Sequence, residues 1–216
     1  MPNAAGKYVV NRAGQWEAIR WSLYDFQAYP AAGTTQLTYF QTQVGSGGRT
    51  LSDTNMQLSS QIMQGQMFLV ESVEIAFWPT TPTGANAAYL PAAFGADAAP
   101  LQVNDEYIFM RSGNLVFTIG SKPYLQEAPM GRFPAKSHFD LSAAVGSQTT
   151  PAAALQTRVA VGKMVGRPYL LTPYPVLLDA GQSFQIQLTW PEGLQAINAP
   201  ARVQVILDGV LFRLSQ

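Results

Sequence analysis

Ser183-Phe-Gln-Ile-Gln-Leu-Thr-Trp190 decides the fold class of this chain. Phe184, Ile186, Leu188 and Trp190 alternate with Gln185, Gln187 and Thr189. That is the period of two that a strand with one buried face requires. The apolar set, Trp190 included, is expected in a core, with the glutamines facing outward. A second long strand is predicted over Met67–Trp78, where Val73, Ile75 and Phe77 alternate with Ser72, Glu74 and Ala76 until Pro79 ends the run. Gln36–Val44, Leu115–Ile119, Arg158–Val165, Val176–Asp179 and Arg202–Leu214 have the same β-branched and aromatic character. Tyr107–Arg111 is predicted to pair with Leu115–Ile119 across a tight Ser112-Gly113-Asn114 turn.

Between these runs the signals are weaker. In residues 15–29, Trp16, Ile19, Leu23 and Phe26 fall at helical spacing, while Glu17, Ile19, Trp21 and Leu23 alternate as in a strand. The density of aromatics favours a strand, or an arm lying on a partner. Leu51–Gly65 fits either one short helix or a long connection, and Thr80–Pro100 reads as a long Ala/Pro/Gly loop of the kind that forms contact surfaces. No segment sustains helical periodicity. The expectation is an all-β chain: an antiparallel β-sandwich, a single jelly roll with long loops. Residues 1–33 are expected as an N-terminal arm and 34–216 as the sandwich domain. A double jelly roll, with about sixteen strands, would be cramped in 216 residues.

Composition narrows the function. Charged residues make up 12% of the chain, where about 25% is usual, and 13 Lys+Arg balance 13 Asp+Glu. A sequence-specific or globally basic nucleic-acid binder would need a cationic excess to neutralise phosphates. With no cysteine there are no disulfides, thiolate metal sites or cysteine nucleophiles, and no Asn-x-Ser/Thr acceptor is present. The first residues lack a basic start followed by an apolar run, so no signal peptide is expected and synthesis is placed in the cytoplasm.

Motifs for chemistry are sparse. Val44-Gly-Ser-Gly-Gly-Arg-Thr50 could cradle an anion on backbone amides, but it lacks the Gly-Lys-Ser/Thr ending and reads as a loop. His138, between Ser137 and Asp140, is the sole histidine and reads as structural or surface. Glu71 and Glu74 stand at an odd offset, on opposite faces of one strand, and Asp105 and Glu106 are adjacent. Neither pair makes a glycosidase site. Trp16, Trp21, Trp78 and Trp190 could stack on sugars, although such residues in sandwiches are mostly core. No enzyme activity, cofactor or metal is expected. Gly120-Ser-Lys-Pro-Tyr-Leu125 and Gly166-Arg-Pro-Tyr-Leu170 echo one another, and both are predicted as strand exits.

What remains is surface. Strand faces of Gln and Thr, long Ala/Pro/Gly loops and zero net charge suit burial in repeated protein contacts, because uncharged amides and hydroxyls cost less to desolvate than charges. Three stretches carry a family likeness: Leu37–Met56 leading to Phe68–Phe77, Gly113–Leu125 followed by Phe133-Pro134, and Val203–Arg213. Together they resemble the coat proteins of tailless icosahedral bacteriophages, the jelly-roll lineage that often surrounds an internal membrane. The chain departs from the usual double-barrel major coat protein in being shorter. That leaves a single-jelly-roll coat, a minor coat protein or another virion component open.

The resemblance implies a capsid subunit, located in the virion, whose partners are copies of itself and other capsid proteins. Assembly-interface candidates are Trp16, Trp21 and Tyr24 in the arm and Tyr89 and Phe94 in the long loop. The alternative for the arm aromatics is that they complete their own subunit's core. Contact with an internal membrane or the genome would have to use local clusters such as Lys122, Arg132 and Lys136. A carbohydrate- or receptor-binding sandwich, as in a spike or fibre domain, is the alternative function.

Overall fold

The computed structural model describes residues 16–78, 105–106, 108–136, 139–145, 158–164, 166–197 and 200–214, with 139–145 and 158–164 as backbone alone. In chain order the strands are β1 (Trp16–Tyr29), β2 (Gln36–Tyr39), β3 (Gln66–Trp78), β4 (Asn114–Ile119), β5 (Lys122–Glu127) and β6 (Phe139–Val145). β7 (Arg158–Met164), β8 (Tyr169–Leu170), β9 (Val176–Leu178), β10 (Phe184–Thr189) and β11 (Ala201–Leu214) follow. The pairing is nested: β1 with β11, β2 with β10, β3 with β8 and β9, and β4 with β5, all antiparallel. Further pairs, β11–β3 and β10–β4, join these into two sheets, β1-β11-β3-β8 with β9 also on β3, and β2-β10-β4-β5. This hairpin of hairpins is the jelly-roll connection, and the chain is an all-β sandwich as the alternation demands. A separate β6–β7 hairpin is inserted between β5 and β8.

The core lies between the sheets. β10 buries Phe184, Ile186 and Leu188 and leaves Gln185, Gln187 and Thr189 half-buried, and Trp190 is buried as expected. β11 contributes Val203, Val205 and Leu207. On β3, Phe68 and Val70 reach the same core as Val73, Ile75 and Phe77, although their positions have opposite parity. A bulge explains this. The register slips between Asp208 and Gly209, which face Ser72 and Val70, so Glu71 has no opposite residue and the strand changes face.

Three local expectations change. Residues 105–106 and 108–110 are helical, so Tyr107–Arg111 is not the first strand of a hairpin. Phe109 from this turn plugs the core, stacked on Phe77 at 4.9 Å and edge-on to Tyr29 at 5.5 Å, and this packing overrides the β propensity of the run. The hairpin at this point is β4–β5, closed by Gly120-Ser121. Gly120–Leu125 and Gly166–Leu170 follow the ends of β4 and β7, as strand exits do, but each then continues into an edge strand, β5 and β8. The Gln36–Val44 strand stops at Tyr39, because Phe40 adopts a left-handed conformation with φ 68. β6 went unpredicted because its Ser/Ala-rich run lacks the β-branched signal.

β1 and β11 each have 14 residues, against six in β4 and β10. At roughly 3.3 Å per residue the β1–β11 ribbon outruns the opposite sheet more than twofold. Its β1 start and β11 end overhang the sandwich: burial fades there to half-exposed Trp21 and exposed Leu214.

Candidate assembly surface

Residues 16–29 of the expected arm are strand β1, paired with β11 along its whole length, and residues 1–15 lie outside the described residues. The outer edge of β1 is treated differently in its two halves.

From Ser22 to Phe26 the edge is covered by the connection before β3. Phe26 N–H donates to the Asp53 carbonyl at 2.8 Å, and Thr54 Oγ1 donates to the Tyr24 carbonyl at 3.1 Å. The Asn55 amide brackets the strand, accepting from Tyr24 N–H at 3.0 Å and donating to the Ser22 carbonyl at 2.7 Å. The Leu51–Gly65 stretch is therefore a long connection and not a helix. The glycine cluster shapes its start: Gly45, Gly47 and Gly48 all have positive φ, and the tight return places Arg49 over β1. Arg49 meets fully buried Asp25 at 2.6 Å and also donates to the Phe26 carbonyl. The cluster builds an ion pair, not an anion cradle.

Asp25 Oδ2 also accepts the N–H of Phe40 at 2.7 Å, which holds that residue in its left-handed geometry. Burial raises the Asp25 carboxyl above its usual range, and the Phe40 amide and Arg49 oppose that shift only in part. Burial, reinforced by the Asp25 charge, pushes the phenol of Tyr39 well up. Asp53 is shifted the other way: the Thr50 N–H, its hydroxyl and Arg202 stabilise its carboxylate and lower it.

From Trp16 to Trp21 no such cover exists among the described residues. The outward backbone groups at Ser22, Tyr24 and Phe26 fix the alternation, so Ala18 and Arg20 also present N–H and C=O away from β11. Trp21, 43% exposed, stands between two hollows. One, of about 540 Å³, is lined by Arg20, Ser22, Tyr24, Leu51, Asn55 and Asp208 among others. The other, of about 120 Å³, opens toward the core past Ile19, Leu23, Met56, Ile62 and Leu211. Exposed Leu51 lines the first hollow and exposed Met63 the second, and exposed Leu214 lies opposite Trp16 at the strand end.

The structure thus brings Trp21 and Tyr24 to one groove and sets half-buried Trp16 further along the same strand, opposite Leu214. Tyr24 is tied down, since its hydroxyl donates to the Leu51 carbonyl. Tyr89, Phe94 and His138 lie outside the described residues. Exposed Leu51, Leu58 and Met63 were missed, because scattered apolar residues in a polar stretch do not announce their exposure.

Other candidates have structural partners. Glu74 is buried, accepts the Lys136 N–H at 2.8 Å and has the Lys136 ammonium 3.2 Å from its other oxygen. The same ammonium meets Asp208. Arg132 pairs with Glu127 and lies 5.7 Å from the Tyr169 ring centre. Two of the three cations proposed for a membrane or genome contact are therefore committed within the subunit. Among the described residues, no three His, Asp or Glu side chains gather to hold a metal. Compared with known proteins, the chain matches no family model, no curated protein and no solved structure.

Proposed function

We propose that this chain is a structural virion protein that self-assembles into an icosahedral capsid shell, acting as a building block and not as an enzyme. The jelly roll is compatible with that role, but the same architecture serves lectins and cupins, so fold alone does not decide. The observation that carries the reading is the exposed apolar side chains Trp21, Leu51 and Met63, which line the two hollows beside the free end of β1, in a chain with zero net charge. Exposed apolar clusters mark contact surfaces, and a neutral chain lacks the repulsion that keeps copies apart. Repetition by symmetry lets such modest contacts add up. Electron microscopy of the purified chain tests this: shells or regular oligomers are expected. A monomer that persists across protein and salt concentrations would overturn it.

The groove beside Trp21 also supports a second reading, a carbohydrate-binding module, since an exposed indole flanked by Asn55 and Gln57 could stack a sugar and bond its hydroxyls. Against it, both polar ends of the Asn55 amide are already spent on β1. A glycan array with specific hits abolished by Trp21→Ala would favour the sugar over the shell.

A further inference from the structure

Sheet edges invite association unless something blocks them, and native edges carry proline, bulges, lysine or very short strands for that purpose. Three of the four edges of the two sandwich sheets carry such devices. β2 has only four residues. β5 contains Lys122 and Pro123 and faces a register slip at Phe117/Thr118. On the far side of β3, β8 and β9 have two and three residues, with Pro173 and Pro175 between them. The Trp16–Trp21 half of β1 has none of these: no proline, glycine or lysine, and an unbroken register with β11.

We infer that this bare edge of β1 is where a second copy of the chain docks, its own β1 pairing antiparallel across a two-fold axis at Ile19, so that one sheet runs through both copies. The inference rests on the assembly reading and names the surface it uses. The β1 sequence is compatible with itself in this register. Ala18 and Arg20 of one copy exchange backbone hydrogen bonds with Arg20 and Ala18 of the second copy, using the outward groups that lack partners among the described residues. Ile19 meets Ile19 of the second copy as a close, non-hydrogen-bonded pair. Trp21 flanks that pair on the same face, and Glu17 of the second copy lies opposite it. No like charges are opposed, whereas a two-fold centred on Arg20 would set arginine against arginine, which is destabilising. The cover by Asp53, Thr54 and Asn55 starts at Ser22 and limits the pairing to the overhang. A strongly basic or acidic partner finds no matching field there, because Glu17 is paired with Arg213 and Arg20 with Asp208.

The chain has no cysteine, so one introduced thiol reports the axis cleanly. Opposed α-carbons in such a pair lie about 4.5 Å apart, at the near end of disulfide reach. Full-length Ile19→Cys, oxidised by air and copper, should run as a reducible dimer on a non-reducing gel. Tyr124→Cys on β5, which is 54% exposed at the wild-type residue, should stay monomeric. Ala18→Pro removes an N–H that points away from β11, so it should keep a cooperative melt yet lose the dimer or shell in sedimentation. No Ile19→Cys dimer, or equal crosslinking of both cysteine variants, would overturn the inference, and so would assembly of a folded Ala18→Pro chain at wild-type level. Shells that survive these changes would sink this contact but not the shell reading. Dimers at Ile19 without shells would do the reverse.

Discussion

The two halves of β1 share one partner strand and one unbroken register, yet they are built for different purposes. From Ser22 to Tyr29 the strand holds a buried carboxylate, an arginine laid over it and a cover along its outer edge. From Trp16 to Trp21 it has an exposed indole and an uncovered edge among the described residues. The contrast separates interactions that make the subunit from the surface proposed to meet a neighbour. Substitutions in the first half should cost stability, and those in the second should cost association.

The largest loss is expected from Asp25→Ala. Arg49 would keep a largely buried, unpaired charge, and the Phe40 N–H would lose its acceptor while its residue stays at φ 68. Breaking a buried pair by removing one partner costs about 3–5 kcal/mol, read as a lower urea midpoint. A loss below about 1 kcal/mol, within the range of an exposed pair, would mean that Asp25 and Arg49 do not anchor the covered half.

Gly209→Ala probes the other half, since Gly209 lies opposite Trp21. A methyl carbon there would sit 1.8 Å from the Leu69 carbonyl oxygen, so β11 or β3 must shift at the bulge. Overpacking of this kind costs about 1–3 kcal/mol. An unchanged melt would show that the overhang is loosely held, and a loose ribbon cannot present a preformed edge.

Asn55→Ala should blur the comparison by uncovering Ser22 and Tyr24. Losing two side-chain bonds to the strand costs about 1–3 kcal/mol, and the bare edge lengthens. Light scattering should therefore show more self-association at equal concentration. Less association would count against the edge as the contact.

The pH response within the covered half is smaller. The folded chain holds the Asp25 proton more tightly than the unfolded chain, because burial raises that carboxyl above 3.8. Its contribution to stability is complete below pH 3.8 and is lost as pH rises through the raised value. Asp53 is lowered, so its contribution is present above 3.8 and is lost as pH falls through the lowered value. Melting temperatures of the wild type and Asp25→Asn should diverge in the variant's favour as pH climbs from 3.8 toward neutrality. Parallel curves would show that Asp25 does not carry the first effect.

How much of this was legible in the sequence differs between the same regions. Phe184 to Trp190 announced the core because alternation is a local pattern with one geometric meaning. The Asp25–Arg49 pair was not legible, because its partners are 24 residues apart and are joined by a loop whose glycines resemble a phosphate cradle. The helical turn at Phe109 was hidden by tertiary packing, and the bulge at Glu71 by a slip that only its partner strand reveals. Trp21 and Tyr24 stand out in the sequence as assembly-interface candidates, but only the structure separates the exposed indole from the phenol already bonded to Leu51.

Trp21→Ala should be the quietest change in the folded subunit and the most telling one in the comparison. The indole is 43% exposed, the ladder to β11 does not need it, and Trp21 is one of many residues lining the hollow that opens toward the core, Ile19, Leu23 and Leu211 among them. Exposed substitutions of this kind stay within about 0.5 kcal/mol, so the melt should barely move. Association should fall, because an aromatic beside a strand edge supplies apolar contact that backbone bonds alone cannot. Loss of association at constant stability would assign Trp21 to a neighbour. Loss of stability at constant association would return it to its own core, and with it the bare half of β1 would become an ordinary end of the sandwich.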